Sequence, residues 1–71
     1  MFPQHRRIPG ENIRAQRKRI GFSHEKLAEK AELHPVYIGN VERGAENISL
    51  DSLIRVAKAL KTSLQELARG I

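Results

Sequence analysis

The chain has no cysteine and no tryptophan, and its 71 residues hold a single Tyr and two Phe. Without cysteine, neither a disulfide nor a thiolate metal site is available to support a small core. A chain of this length buries only about 60% of the surface that its unfolded form exposes, so it must fold economically or lean on a second copy. It makes one small domain. No apolar run approaches the roughly 18 residues of a membrane span, and no basic-then-apolar leader opens the chain, which points to a cytoplasmic protein. The three histidines, His5, His24 and His34, do not stand at metal-ligand spacing on one helix. A Gly-rich phosphate loop is lacking too, as is any acidic pair set apart from helix-surface charge. These absences argue against an enzyme, and no metal or other cofactor is expected.

What the chain does have is positive charge, unevenly placed. Thirteen Lys and Arg against eight Asp and Glu give a net +5. Residues 1–20 hold six basic and one acidic side chain, residues 21–45 three and four, and residues 46–71 four and three. The surplus therefore sits at the start of the chain. That distribution suits a polyanion gripped by its backbone at the flanks while a less charged surface meets something more specific; the competing account is a solvated basic face with no partner.

The hydrophobic spacing is helical throughout. Residues 1–8 show no periodicity and contain Pro3, so they read as a loose basic leader whose His5, Arg6 and Arg7 either reach a phosphate or stay in solvent. The domain proper then spans 9–69, with 70–71 as its end. A first helix is expected over about 9–20, with Pro9 in its first turn and Gly21 beyond its end, and with Ile13, Arg17 and Ile20 on one face. Arg17 is the odd member, because a guanidinium among apolar neighbours needs a partner. Phe22 precedes Ser23, a good N-cap, and Leu27, Ala28 and Ala31 form the stripe of a second helix. The pattern breaks at residues 32–34, where a left-handed Glu32 would cost on the order of 1 kcal/mol. Pro35 then suits the first position of a third helix over about 35–43, with Ile38 and Val41 inward and Gly44 to end it. Two short helices joined by a tight turn have the form of a helix-turn-helix. The second of them leaves a flank of Val36, Tyr37, Gly39 and Asn40 free to face outward. Ser49 caps a fourth helix over about 50–60, in which Leu50, Leu53, Ala57 and Leu60 share a core face while Ile54 and Val56 lie off it. Ser63 and Glu66 read as a capping box for a short fifth helix. Ile54, Leu64, Leu67 and Ile71 exceed the apolar needs of so small a monomer and are candidates for a two-fold homodimer interface.

Residues 23–44, Ser-x-x-x-Leu-Ala-x-x-Ala-x-Leu-x-x-x-Tyr-Ile-x-x-x-Glu-Arg-Gly, resemble the Cro/lambda-repressor-type (XRE) helix-turn-helix. The likeness reaches upstream to Ile13, Arg14 and Arg17 and downstream through Asn47-Ile-Ser-Leu to Leu60. Within that family the run most resembles the controller proteins of restriction–modification systems. The resemblance implies an all-α, compact five-helix domain with the helix-turn-helix at helices 2 and 3. It implies a DNA-binding transcription regulator, a repressor or an activator, acting as a homodimer on double-stranded DNA. It further implies that Arg17 pairs with Glu42 as a structural link; Arg17 on a phosphate is the alternative. By position, Pro35, Val36, Gly39 and Asn40 match residues that meet base edges. Arg14, Ser23, His24, Tyr37, Arg43 and Asn47 match residues near the DNA backbone. Two positions depart from the family: His24 stands where glutamine is usual, and Pro35 where a side chain able to bond a base is common. Direct readout should therefore be thin, resting on Val36 against a thymine methyl and Asn40 on an adenine edge. The rival function is a helix-turn-helix module that binds protein, as an antitoxin or adaptor would.

Overall fold

The computed structural model describes residues 3–70. Five helices follow in order: α1 (Gln4–Arg19), α2 (His24–Ala31), α3 (Pro35–Glu42), α4 (Leu50–Leu60) and α5 (Leu64–Leu67), with no strand among the described residues. The buried core draws on every helix: Ile13 from α1, Leu27, Ala28 and Ala31 from α2, Ile38 and Val41 from α3, Val56, Ala57 and Leu60 from α4, and Leu67 from α5.

Most helix ends are set by local chemistry. Ser23, Ser49 and Ser63 each stand extended before a helix and accept the amide of the third residue on, at Lys26, Ser52 and Glu66. Each side chain thereby satisfies a donor that the first helical turn cannot pair internally. Glu32 and Lys61 close α2 and α4 in the left-handed conformation, at φ 58° and 56°. Gly44 follows Arg43, the C-cap of α3, at φ +80°, a conformation favourable to glycine.

Several expectations need correction. Residues 4–8, read as a loose leader, are the first turn and more of α1, and Pro9 lies inside the helix rather than at its start. Pro3 is the reason: it stands extended at the N-cap, and its carbonyl takes the amides of Arg6 and Arg7 at 3.1 and 3.0 Å. Pro9, the sixth residue of α1, removes one amide from the ladder, and it is buried. On α4 the core stripe is offset: Val56 is fully buried while Leu50 is 67% exposed. Leu67 is not available to a dimer interface, because it is fully buried. Asn12 of α1 explains its placement, donating from Nδ2 to the carbonyls of Leu67 and Arg69, each at 2.9 Å, so that the end of α5 is drawn onto α1.

Helix α1 also crosses the end of α3 at very short range. A Cβ built on Gly10 would lie 2.1 Å from the Val41 carbonyl oxygen. Only glycine lets the two backbones approach so closely.

Candidate nucleic-acid interface

Helix α3 is held from behind and left open in front. Its inner face, Ile38, Val41 and Glu42, is buried, whereas Val36 is 63% exposed and Arg43, which caps the helix end, is exposed. Pro35 and Asn40 are partly exposed, and Gly39 lies low between its neighbours. Along this outer flank the side chains of Arg43 and His24 border Gly39, while Val36 stands open. Two adjoining hollows open along it, sharing His24, Gly39 and Arg43. One is completed by Arg14, Arg17 and Glu42, the other by Glu25, Pro35 and Val36.

The rear support is an ionic clasp. Arg17 of α1 reaches Glu42 of α3 through two parallel bonds, Nε to Oε2 at 2.6 Å and Nη2 to Oε1 at 3.0 Å, and its Nη1 donates to the Phe22 carbonyl at 2.8 Å. This forked geometry is the strong form of a guanidinium–carboxylate contact. His24 adds a third element that the sequence did not reveal, its Nε2 lying 3.0 Å from Oε1 of Glu42. The clasp thus joins the starts and ends of three helices. Burial pushes the Glu42 carboxyl up, but hydrogen bonds and charge from Arg17 and His24 outweigh it and hold the group below the ordinary carboxylate value. The Glu42 hydrogen bond raises the Arg17 guanidinium, against the opposing effect of burial.

A prediction follows for acid. A carboxyl with a lowered folded pKa contributes stability that is full above its unfolded value and is lost as pH falls through the folded one. Denaturant unfolding at about pH 5 and about pH 3 is therefore expected to show a larger loss for the native chain than for Glu42→Gln. Equal losses in both proteins would assign the acid sensitivity to other carboxyls.

The remaining expected site residues are not gathered at one place. Arg14 lines the basic hollow, beside His24 and Arg43. Ser23 is exposed, with its hydroxyl engaged by the Lys26 amide at 3.0 Å. Tyr37 is half-buried against the core, and its hydroxyl accepts the Ser49 amide at 3.3 Å, tying α3 to the start of α4. Asn47 is exposed in the loop after α3, apart from the two hollows. Asn40 is joined to Arg43, whose Nη2 donates to its Oδ1. Of the dimer candidates, Leu64 is 38% exposed and Ile54 partly buried, while Ile71 lies outside the described residues. A second feature absent from the sequence reading is the start of α3, where Nδ1 of His34 accepts the Val36 amide at 3.2 Å.

A tight pair of helices, the second anchored by its inner face and open on its outer one, defines a helix-turn-helix domain. The chain belongs to the helix-turn-helix family of DNA-binding transcription regulators, whose family profile matches residues 13–67. Control protein C.SmaI of Serratia marcescens is 46% identical over 66 residues, which cover 93% of this chain and 79% of that protein. The restriction–modification controller protein C.AhdI of Aeromonas hydrophila superposes with a TM-score of 0.81 at 39% identity, over 83% of this chain and 89% of that one. The P22 c2 repressor, solved with a synthetic operator, superposes with a TM-score of 0.83 at 29% identity, over 92% of this chain and 98% of that one. The family is one of regulators and not of enzymes. Among the described residues no helix is long and apolar enough to cross a membrane.

Proposed function

We propose that the chain regulates transcription in the cytoplasm as a homodimer on an inverted-repeat operator, with α3 of each copy in successive major grooves. The observation that carries this reading is the outward flank of α3, clasped from behind by Arg17 and Glu42 and uncovered in front. On this reading Val36 packs on a thymine methyl, and Pro35 and Gly39 contribute close fit rather than hydrogen bonds. Asn40 offers its amide nitrogen to a base edge. Arg14, Ser23, His24, Tyr37 and Asn47 face the phosphates, where the free amides at the start of α2 also suit an oxygen. Because the bonding groups on the reading flank are few, DNA shape carries part of the specificity. The exposed face of Leu64 on α5 and the partly buried Ile54 on α4 supply the contact between copies.

Selection from a random duplex pool at two salt concentrations tests the proposal. An inverted repeat is expected, with half-sites about one helical turn (roughly 34–36 Å) apart. Affinity should fall linearly with salt on logarithmic axes, as release of counterions from phosphates requires. A chain that shifts no duplex at low salt, or whose binding to a protein target is indifferent to salt, would instead be a protein-docking module.

A further inference from the structure

Arg43 stands at the end of α3, a place that by family position belongs beside the DNA backbone, yet its side chain does not lie at that end. Long helical side chains lean toward the helix N-terminus. Arg43 does so across the gap left by Gly39, where its Nη1 lies 3.4 Å from the point a Cβ would occupy. Its guanidinium thereby borders the hollow formed by Pro35 and Val36, at the opposite end of the same helix, with His24 and Glu25 on the far side. Nη2 is braced by Oδ1 of Asn40. Among the described residues no carboxylate pairs with Arg43; Glu42, its neighbour in sequence, is already held by Arg17 and His24.

The rest of the reading flank offers no comparable donor. Pro35 has no amide hydrogen, Val36 is apolar, and Gly39 has no side chain. Asn40, the expected adenine reader, needs its oxygen and its nitrogen together for a two-bond contact, and here the oxygen is committed to Arg43. A guanidinium is planar and carries five N–H donors in a fixed fork. With one edge fixed by Asn40, the free donors are presented along the outer face of α3 in a restricted set of orientations, which lowers the entropy lost on binding.

We infer that Arg43, braced by Asn40 and admitted by Gly39, is a specificity-determining residue that reads the O6 and N7 edge of a guanine in the major groove. This rests on the operator-binding reading given above and adds the residue and the base. It makes Asn40 a positioning residue for Arg43, with only its amide nitrogen left to meet a base.

The test uses the intact chain and the duplex that it selects. Arg43 and Asn40 project from the surface, so Arg43→Ala, Arg43→Lys and Asn40→Ala are expected to fold, as far-ultraviolet circular dichroism would establish. Arg43→Ala should lower affinity for the selected site by about ten- to a hundredfold and abolish the preference for one G·C pair in each half-site. Binding to unrelated duplex should fall far less. Replacing that guanine with 7-deazaguanine, which lacks the N7 acceptor, should weaken the native chain and leave Arg43→Ala unaffected. Arg43→Lys should restore the affinity for unrelated duplex without the full preference, since the charge remains and the fork is lost. Asn40→Ala should weaken the preference at that same pair. If Arg43→Ala loses affinity equally on selected and unrelated DNA, and keeps every base preference, Arg43 is a phosphate contact and the inference fails alone. A native chain that selects no sequence at all overturns the operator-binding reading with it.

Discussion

Alanine at position 42 is expected to lower the unfolding free energy by about 3–5 kcal/mol, the usual consequence of removing one member of a buried ion pair. A domain of this size has in total only about 4–10 kcal/mol, at about 0.05–0.15 kcal/mol per residue. Glu42→Ala should therefore sit at the edge of folding at room temperature. The loss exceeds that of an ordinary surface ion pair because Arg17 and Glu42 are only 8% and 7% exposed. Without the carboxylate, the Arg17 guanidinium is left beside the core with only the Phe22 carbonyl to bond. Arg17→Ala should have a similar effect by stranding the carboxylate, with His24 as its remaining partner. The pair can be separated from its surroundings by replacing both members at once. Arg17→Met with Glu42→Leu leaves no stranded charge and is expected to recover most of the loss. Urea unfolding of the three proteins measures this directly. Single variants within about 0.5 kcal/mol of the native chain would mean that the clasp contributes no more than a surface contact.

The second large effect is expected at Gly10. In a helix interior, glycine to alanine ordinarily gains about 1 kcal/mol. Here the new methyl would meet the Val41 oxygen at 2.1 Å and the Glu42 oxygen at 3.0 Å. Both are backbone atoms of α3, so no side chain can swing away to make room. Gly10→Ala should therefore destabilise by about 3 kcal/mol, the upper part of the range for overpacking. For a domain of this length that corresponds to a fall in Tm of more than about 10 °C. Gly21 provides the contrast, since a Cβ there meets nothing within 4 Å and only its φ of +80° opposes substitution. Gly21→Ala is expected to cost only about 1 kcal/mol. Thermal unfolding of the two variants distinguishes close approach from backbone conformation. An unchanged or raised Tm for Gly10→Ala would show that the two helices do not cross so closely.

These two positions also show what could and could not be read from the chain. Helices α2 and α3 were legible because their signals are local: Ser23 before the stripe of Leu27, Ala28 and Ala31, and Pro35 ahead of Ile38 and Val41. The pairing of Arg17 with Glu42 came from resemblance, since residues 25 apart share no helical face and spacing alone cannot join them. The contacts of Asn12 with the end of α5, and of His24 with Glu42, were invisible for the same reason. Each depends on how helices pack after they form. Proline misled at the start of α1, where Pro3 opens a helix rather than interrupting one. The core stripe of α4 was misplaced because Leu50 fits the helical spacing as well as Val56 does. The way α1, α2 and α5 pack against the helix decides which is covered. On the outer flank of α3 nothing in the residue spacing signals that Asn40 and Arg43 join across it. That contact depends on the empty space over Gly39.

The beginning of α3 carries one more implication. Proline brings no amide hydrogen to the first position of that helix, and the histidine before it takes up the amide of Val36. The positive pole of the helix is therefore partly quenched by the chain itself, and the positive charge near that end comes from the Arg43 side chain instead. On the operator-binding reading, long-range attraction of the phosphates then falls to the exposed basic side chains of α1 rather than to the pole of α3.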